Sequence, residues 1–283
     1  GVNFSVNGQI NSDKLWVGVV DSMQGVKNKS TLTIENMSSC HIADAVKIIR
    51  REIINRQCST LVTKIYANKD SLDKIVVEFY NGYMMGIDVS EWQGEIDWES
   101  VKNSGVTFAI LKIGEYWTNS KRIVYDQFFE KNYQACKRLG IAVGGYFYSY
   151  AFNRDEGNEE ADICLSIIKN KIFELPIFID VEDKAIKNAV ANGKTDVANV
   201  TDASLAFCEK IVSAGHQAGV YASRDFFYNY FNIPLIEKYW IWVAHYTSDQ
   251  TNYTGKYNFW QATSKGSVPG INGNVDIDWF YKR

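Results

Sequence analysis

From residue 86 onward, apolar and polar positions follow two alternating rhythms. Short apolar runs with β-branched and aromatic residues occur at "MMGIDVS", "TFAILKIG", "AVGGYFYSY", "PIFIDVE", "AGVYAS", "YWIWVAHY", "NFWQA" and "VDIDWF". Helix-period stretches separate the first six: "DWESVKNSG", "VYDQFFEKNYQACKRLG", "EEADICLSIIKN", "DASLAFCEKIVSAGHQAG" and "RDFFYNYFNIPLIEKY". Gly140 and Gly219 follow two of these stretches and read as helix stops. Strands alternating with helices of this length predict a parallel sheet, and eight strands predict closure into a barrel. The last three strands have short connections, so the ring of helices should be incomplete there.

Residues 1–83 have a different pattern. "KLWVGVVDS", "STLTIENMS", "STLVTKIYANK" and "LDKIVVEFYN" read as strands. "SSCHIADAVKIIRREIINRQ" reads as an amphipathic helix with Ile42, Val46, Ile49 and Ile53 on one stripe. The chain is therefore expected to hold a small α+β domain over 1–83 and a barrel over 84–283. No long linker separates them.

One stretch combines burial with charge. "LPIFIDVEDK", residues 175–184, runs from apolar residues into Asp180, Glu182 and Asp183. Side chains two apart on a strand share a face, so Asp180 and Glu182 point the same way. Chemistry in a parallel barrel sits at the C-terminal ends of its strands. Asp88 in "GIDVSEWQG" and Asp276 in "NVDIDWF" also fall at or near strand ends, which makes four acids for one mouth. Two carboxylates about 6 Å apart repel by roughly 3 kcal/mol at an effective dielectric near 20. That is about two pKa units, enough to keep one of them protonated near neutrality. A proton donor beside an ionised carboxylate is what glycoside hydrolysis requires.

Composition narrows the alternatives. A net charge of −3 argues against nucleic acid as the partner. No apolar run reaches the roughly 18 residues of a membrane span, so no membrane insertion is expected. The opening "GVNFSVNGQINSDK" lacks the basic and apolar regions of a secretory signal, which leaves the route of export open. Cys40, Cys58, Cys136, Cys164 and Cys208 form no CxxC and read as reduced. With three histidines, a histidine-based metal site is not expected. The 8 Trp, 17 Tyr and 15 Phe suit sugar rings, although large cores use aromatics too.

"GIDVSEWQGEIDW", "VTFAILKIGE", "VGGYFYSYA", "PIFIDVED", "GVYAS", "IWVAHY" and "FWQATSKGSVPGINGNVDIDWF" together resemble the family 25 glycoside hydrolases, the lysozymes (N-acetylmuramidases) of bacteria, phages and fungi. The resemblance covers residues 85–283. It implies an α/β, TIM-like barrel of five βα units followed by three further strands. It also implies hydrolysis of the β-1,4 bond between N-acetylmuramic acid and N-acetylglucosamine in peptidoglycan, without cofactor or metal. By position, Glu182 matches the family's general acid and Asp180 its partner. Asp88 and Asp276 match the acids of the first and last strands. Tyr146, Tyr148, Tyr221, Trp242, Tyr246 and Trp260 match aromatics of the sugar cleft, with Gln261 adjacent. Lys112, ending the second strand, reads either as a substrate contact or as an ion-pair partner. Trp92 and Gln93 read as structural, and Phe147 and Ile241 should face away from the mouth. Two departures are local: many relatives have a histidine where Tyr148 stands, and "GEYW" replaces the usual Glu-Gly, so that Trp117 reshapes one cleft wall.

Neighbours at i and i+2 on one strand approach the sugar from the same side, which fits poorly with a direct double displacement. The expected mechanism is therefore substrate-assisted and retaining, with Asp180 holding the 2-acetamido N–H. The competing readings are another glycosidase of chitinase-like type and a carbohydrate-binding barrel without catalysis. The longer D-x-x-D-x-D-x-E spacing is absent, and four retained acids argue against binding alone. The expected setting is the bacterial cell wall, on its extracellular side, as a phage lysin, autolysin or remodelling enzyme. Residues 1–83 are expected either to bind the wall or to join copies of the chain into a homo-oligomer.

Overall fold

The structure is a computed structural model that describes residues 8–10, 15–20, 29–35, 61–67, 75–80, 84–247 and 251–280. Five strands precede residue 84: β1 (Gly8–Ile10), β2 (Leu15–Val20), β3 (Lys29–Glu35), β4 (Leu61–Ala67) and β5 (Ile75–Tyr80). They form an antiparallel sheet in the order β1-β2-β3-β5-β4. The helix expected over 38–57 lies outside the described residues, as do Cys40 and Cys58.

The barrel consists of β6 (Met84–Val89), β7 (Phe108–Trp117), β9 (Ala142–Tyr148), β10 (Ile177–Asp180), β11 (Ala218–Ser223), β12 (Trp240–Ala244), β13 (Phe259–Gly266) and β14 (Val275–Phe280). These are the eight expected strands. Pairing runs in parallel from β6 through β13, and the β6–β7 pair closes the ring. Only β14 is reversed, antiparallel to both β13 and β6. A short connection joins it to β13, with no room for a crossover helix that would bring it back parallel.

The helices are α1 (Trp98–Asn103), α2 (Phe129–Leu139), α3 (Arg154–Ile167), α4 (Lys184–Ala191), α5 (Val197–Ser213), α6 (Arg224–Tyr230) and α7 (Ile233–Ile236). They complete five βα units and leave β12, β13 and β14 without an intervening helix, as the sequence predicts. Three local expectations fail. Val124 and Tyr125, read as the start of a helix, belong to a ninth strand, β8 (Arg122–Tyr125), paired with the overhanging end of β7. Gly219 lies inside β11; α5 stops at Ser213, and Gly215 makes the left-handed turn at φ +89. Helix α4 was not expected, and Asp183 caps it by accepting the N–H of Ala185.

Strand alternation separates two apolar layers. Outward residues such as Ile87, Leu111, Val143, Ile179, Val220 and Val243 pack with the helices. Phe147 and Ile241 face this way as expected, and Phe147 stacks on Phe207 of α5. Inward residues Met84, Phe108, Phe178, Trp240, Phe259 and Phe280 fill the barrel floor. Phe259 takes edge contacts from Phe108 and Phe178 at 5.6 and 5.5 Å between centroids. The floor needs Gly86, because a Cβ there would lie 2.3 Å from the Phe108 ring. Above this aromatic plug most inward positions turn polar, and the mouth begins.

Candidate active site

Asp180 ends β10 between Tyr148 of β9 and Tyr221 of β11, its register partners. It is buried, and its Oδ1 has no hydrogen-bond partner among the described residues. Burial, then the nearby Glu182, pushes the Asp180 carboxyl well above the usual range, against the opposing pull of Lys112. Glu182 lies just past the strand and is open to solvent in the cleft. Its pKa is also raised, by desolvation first and then by Asp276 and Asp183. Both carboxyls of the pair are thus displaced toward the protonated form.

The other two acids face each other. Asp88 ends β6 and Asp276 opens β14, and the antiparallel register makes them direct partners. The reversal of β14 is what brings the start of that strand, rather than its end, to the mouth. Gln261 of β13 ties the group together: its Nε2 donates to Asp88 Oδ2 at 2.6 Å and to Asp276 Oδ2 at 2.9 Å. Its Oε1 accepts the hydroxyls of Tyr221 at 2.8 Å and Tyr246 at 3.0 Å. One amide thus fixes two acids and two tyrosines. Burial raises Asp276 to about 6.

Sequence reasoning missed a fifth acid, Asp278. It is fully buried and accepts the indole N–H of Trp242 at 2.8 Å. Its Oδ2 has no hydrogen-bond partner among the described residues, and burial raises both Asp278 and the neighbouring Asp88 well above the usual range, the Asp278 charge adding to the rise at Asp88. The Trp242 N–H favours the charge on Asp278, against the burial that disfavours it. The signal was available, because Asp276 and Asp278 have the same i, i+2 spacing as Asp180 and Glu182.

Lys112 donates to Glu115 at 2.8 Å, which supports the ion-pair reading, while its charge still reaches Asp180 and Glu182. Its ammonium also lies over the Tyr148 ring at 5.5 Å. The Tyr148 hydroxyl donates to Asp183 at 2.9 Å. Tyr146 is half-buried at the centre of the mouth, edge-on to Trp242. A cleft of about 410 Å³ opens beside Glu182, lined by Tyr221, Ser223, Arg224, Asp225, Ala244, His245 and Tyr246.

Two expected cleft aromatics are elsewhere. Trp242 is 1% exposed, packed beneath Tyr221 with its ring 4.3 Å away, and supports the floor instead of meeting a sugar. Trp260 packs in the outer layer and donates to the His245 carbonyl. It is adjacent to Gln261, so strand alternation sends one of the two inward and the other out. Trp92 departs in the opposite direction. Gln93 is structural, accepting from the Ser90 N–H and donating to the Asn274 carbonyl, but Trp92 is 86% exposed.

Among the described residues no group of His, Cys, Asp and Glu is arranged to hold a metal, and no helix is long and apolar enough to cross a membrane. Cys136, Cys164 and Cys208 are buried free thiols.

Comparison with known proteins gives a consistent answer. The family model for glycosyl hydrolases family 25 matches residues 87–271. The chain is 30% identical over 206 residues to the uncharacterized protein YegX of Escherichia coli (strain K12), covering 69% of this chain and 68% of that protein. It is 30% identical to Lysozyme M1 of Streptomyces globisporus, covering 70% and 67%. Among solved structures, the bacterial lysozyme from Streptomyces coelicolor aligns with TM-score 0.55 and 26% identity, over 70% of this chain and 91% of that one. The modular autolysin LytC from Streptococcus pneumoniae, solved with a synthetic peptidoglycan ligand, aligns with TM-score 0.58 and 28% identity over 70% of this chain, but the match spans 47% of that longer protein. The matched span contains the β6 acid, the Asp180–Glu182 pair and Gln261, the residues that build the mouth, and the chain belongs to glycosyl hydrolases family 25.

Proposed function

We propose that the chain is a muramidase that hydrolyses the β-1,4 bond between N-acetylmuramic acid and N-acetylglucosamine in peptidoglycan. One observation carries the reading: Glu182 stands open to the cleft beside the buried Asp180, and both carboxyls are raised above the usual range. That arrangement supplies an acid at the glycosidic oxygen and a partner behind it.

Glu182 protonates the leaving oxygen as the C1–O bond breaks, and the 2-acetamido carbonyl oxygen of the same sugar forms the new bond at C1. Asp180 accepts the acetamido N–H, which stabilises the positive charge that develops on the ring so formed. Glu182, now a carboxylate, removes a proton from water as the water adds to C1 and the acetamido group is released. Asp88, its pKa raised by burial and by the Asp278 charge, is poorly suited as a nucleophile. With Asp276 and Gln261 it forms the opposite wall, where sugar hydroxyls bind. Tyr146, Tyr148, Tyr221 and Tyr246 line the cleft.

On this reading the chain acts at the bacterial wall, and residues 1–83 serve it by wall binding, which raises the effective concentration of enzyme on its polymer. Digestion of purified peptidoglycan tests the proposal: fragments should carry N-acetylmuramic acid at their reducing ends. Fragments ending in N-acetylglucosamine would overturn it in favour of another glycosidase. No fragments at all would favour the binding barrel.

A further inference from the structure

We propose that Trp117 is an outer sugar-binding platform, on which a ring of the glycan chain beyond the disaccharide at the scissile bond stacks. The inference rests on the function proposed above and adds a subsite to it.

At ten residues, β7 is the longest strand of the barrel, and its end overhangs the mouth. There it turns back through β8, with Trp117 opposite Arg122 and Gly114 opposite Tyr125. Trp117 therefore stands at the top of a two-stranded wall, five residues or roughly 16 Å along the strand from Lys112. The backbone at Trp117 thus stands beyond the acids, while its indole leans back toward them through Glu115.

The indole is held from several sides. Its Nε1 donates to Glu115 Oε1 at 2.6 Å, and Glu115 Oε2 accepts from Lys112, whose charge acts on Asp180 and Glu182. A continuous chain of contacts thus runs from the acid pair to the rim. The Arg122 guanidinium lies over the Trp117 ring at 5.0 Å, and Tyr150 is in contact beside it. Tyr150 in turn packs on Tyr148, 5.2 Å away, so an aromatic surface extends from the mouth to the rim.

Even so, Trp117 remains 39% exposed. An apolar ring left in water at a hairpin tip does nothing for the core, and its fixed geometry removes the entropy cost of ordering it on binding. The indole face away from Arg122 suits the C–H face of a pyranose, while Glu115 at the ring's edge and Arg122 over its other face suit hydroxyl and acetamido groups. Continuity with the cleft identifies the occupant as the same glycan chain.

Binding of glycan strands of increasing length to the E182Q protein tests the platform. Affinity should rise from tetrasaccharide to octasaccharide. Adding W117A should lower octasaccharide affinity about fivefold or more while matching E182Q on the tetrasaccharide. W117F should retain most of the gain. Equal octasaccharide affinity with and without W117A overturns the platform, as does an absence of any gain with length. Cleavage of the same strands by the unaltered protein is read separately. If the octasaccharide binds through Trp117 but is not cut, the muramidase reading falls and the platform stands.

Discussion

Asp278 lies fully buried beside Asp88 at the head of the barrel, and its charge adds to the rise that burial gives the Asp88 pKa. Both have folded-state pKa values raised above the unfolded value of 3.8, chiefly by burial. The folded protein therefore keeps a proton that the unfolded chain releases. That contribution to stability is complete below about pH 4 and is lost as pH rises toward the folded values.

D278N removes one of the two acids while keeping a donor for Asp88. Its stability should fall less steeply above pH 4, by up to about 1.4 kcal/mol per pH unit for the proton no longer taken up on folding. Thermal midpoints measured from pH 4 to 9 give the comparison. Parallel curves for D278N and the unaltered protein would show that folding does not raise the Asp278 pKa.

Removing the acid should stop the chemistry without unfolding the barrel. E182Q, at a solvent-facing position, should lose at least ~10²-fold in rate on purified walls at unchanged thermal midpoint. D180N should also cripple the enzyme. Near-native lysis by E182Q would transfer the acid role elsewhere, with Asp88 the next candidate.

The pH–rate profile should have two limbs. Asp276, raised to about 6 by burial, accepts more strongly from Gln261 as a carboxylate, so activity should climb as pH rises through that value. It should fall again at higher pH, once Glu182 loses its proton. D276N should lower the maximum and shift the acidic limb; a limb that stays in place would assign it to another group.

Substrate assistance fixes the stereochemistry. Two displacements at C1, the first by the acetamido oxygen and the second by water, retain the anomeric configuration. Proton NMR during hydrolysis should show the β-anomer first, and a thiazoline analogue of the cyclised sugar should inhibit. Initial release of the α-anomer would exclude this path.

The eight barrel strands were legible because burial on both faces leaves apolar runs that few other elements produce. The four mouth acids were legible for a related reason: each interrupts such a run. What failed depends on parity or on pairing. Trp242 and Trp260 were assigned to the cleft as aromatics, whereas Trp242 sits one layer too deep and Trp260 points outward beside the inward Gln261. β8 was hidden because its four residues pair only with the overhang of β7, which local pattern does not announce. Asp278 was overlooked because a carboxyl at full burial runs against the usual preference, and the Trp242 N–H that it accepts is not visible in local pattern.

The reversal of β14 has an architectural effect remote from the acids. Because β14 runs back beside β6, Met84 and Phe280 are register partners at the floor, on the side away from the mouth. The barrel is thus entered and left through one doorway, on the blind side of the catalytic face. Segments joined before Met84 or after Phe280 set out behind the enzyme rather than across the path of the polysaccharide. Such a catalytic unit can be fitted with different appendages at either end, or rejoined end to end and reopened elsewhere, with its cutting edge left undisturbed.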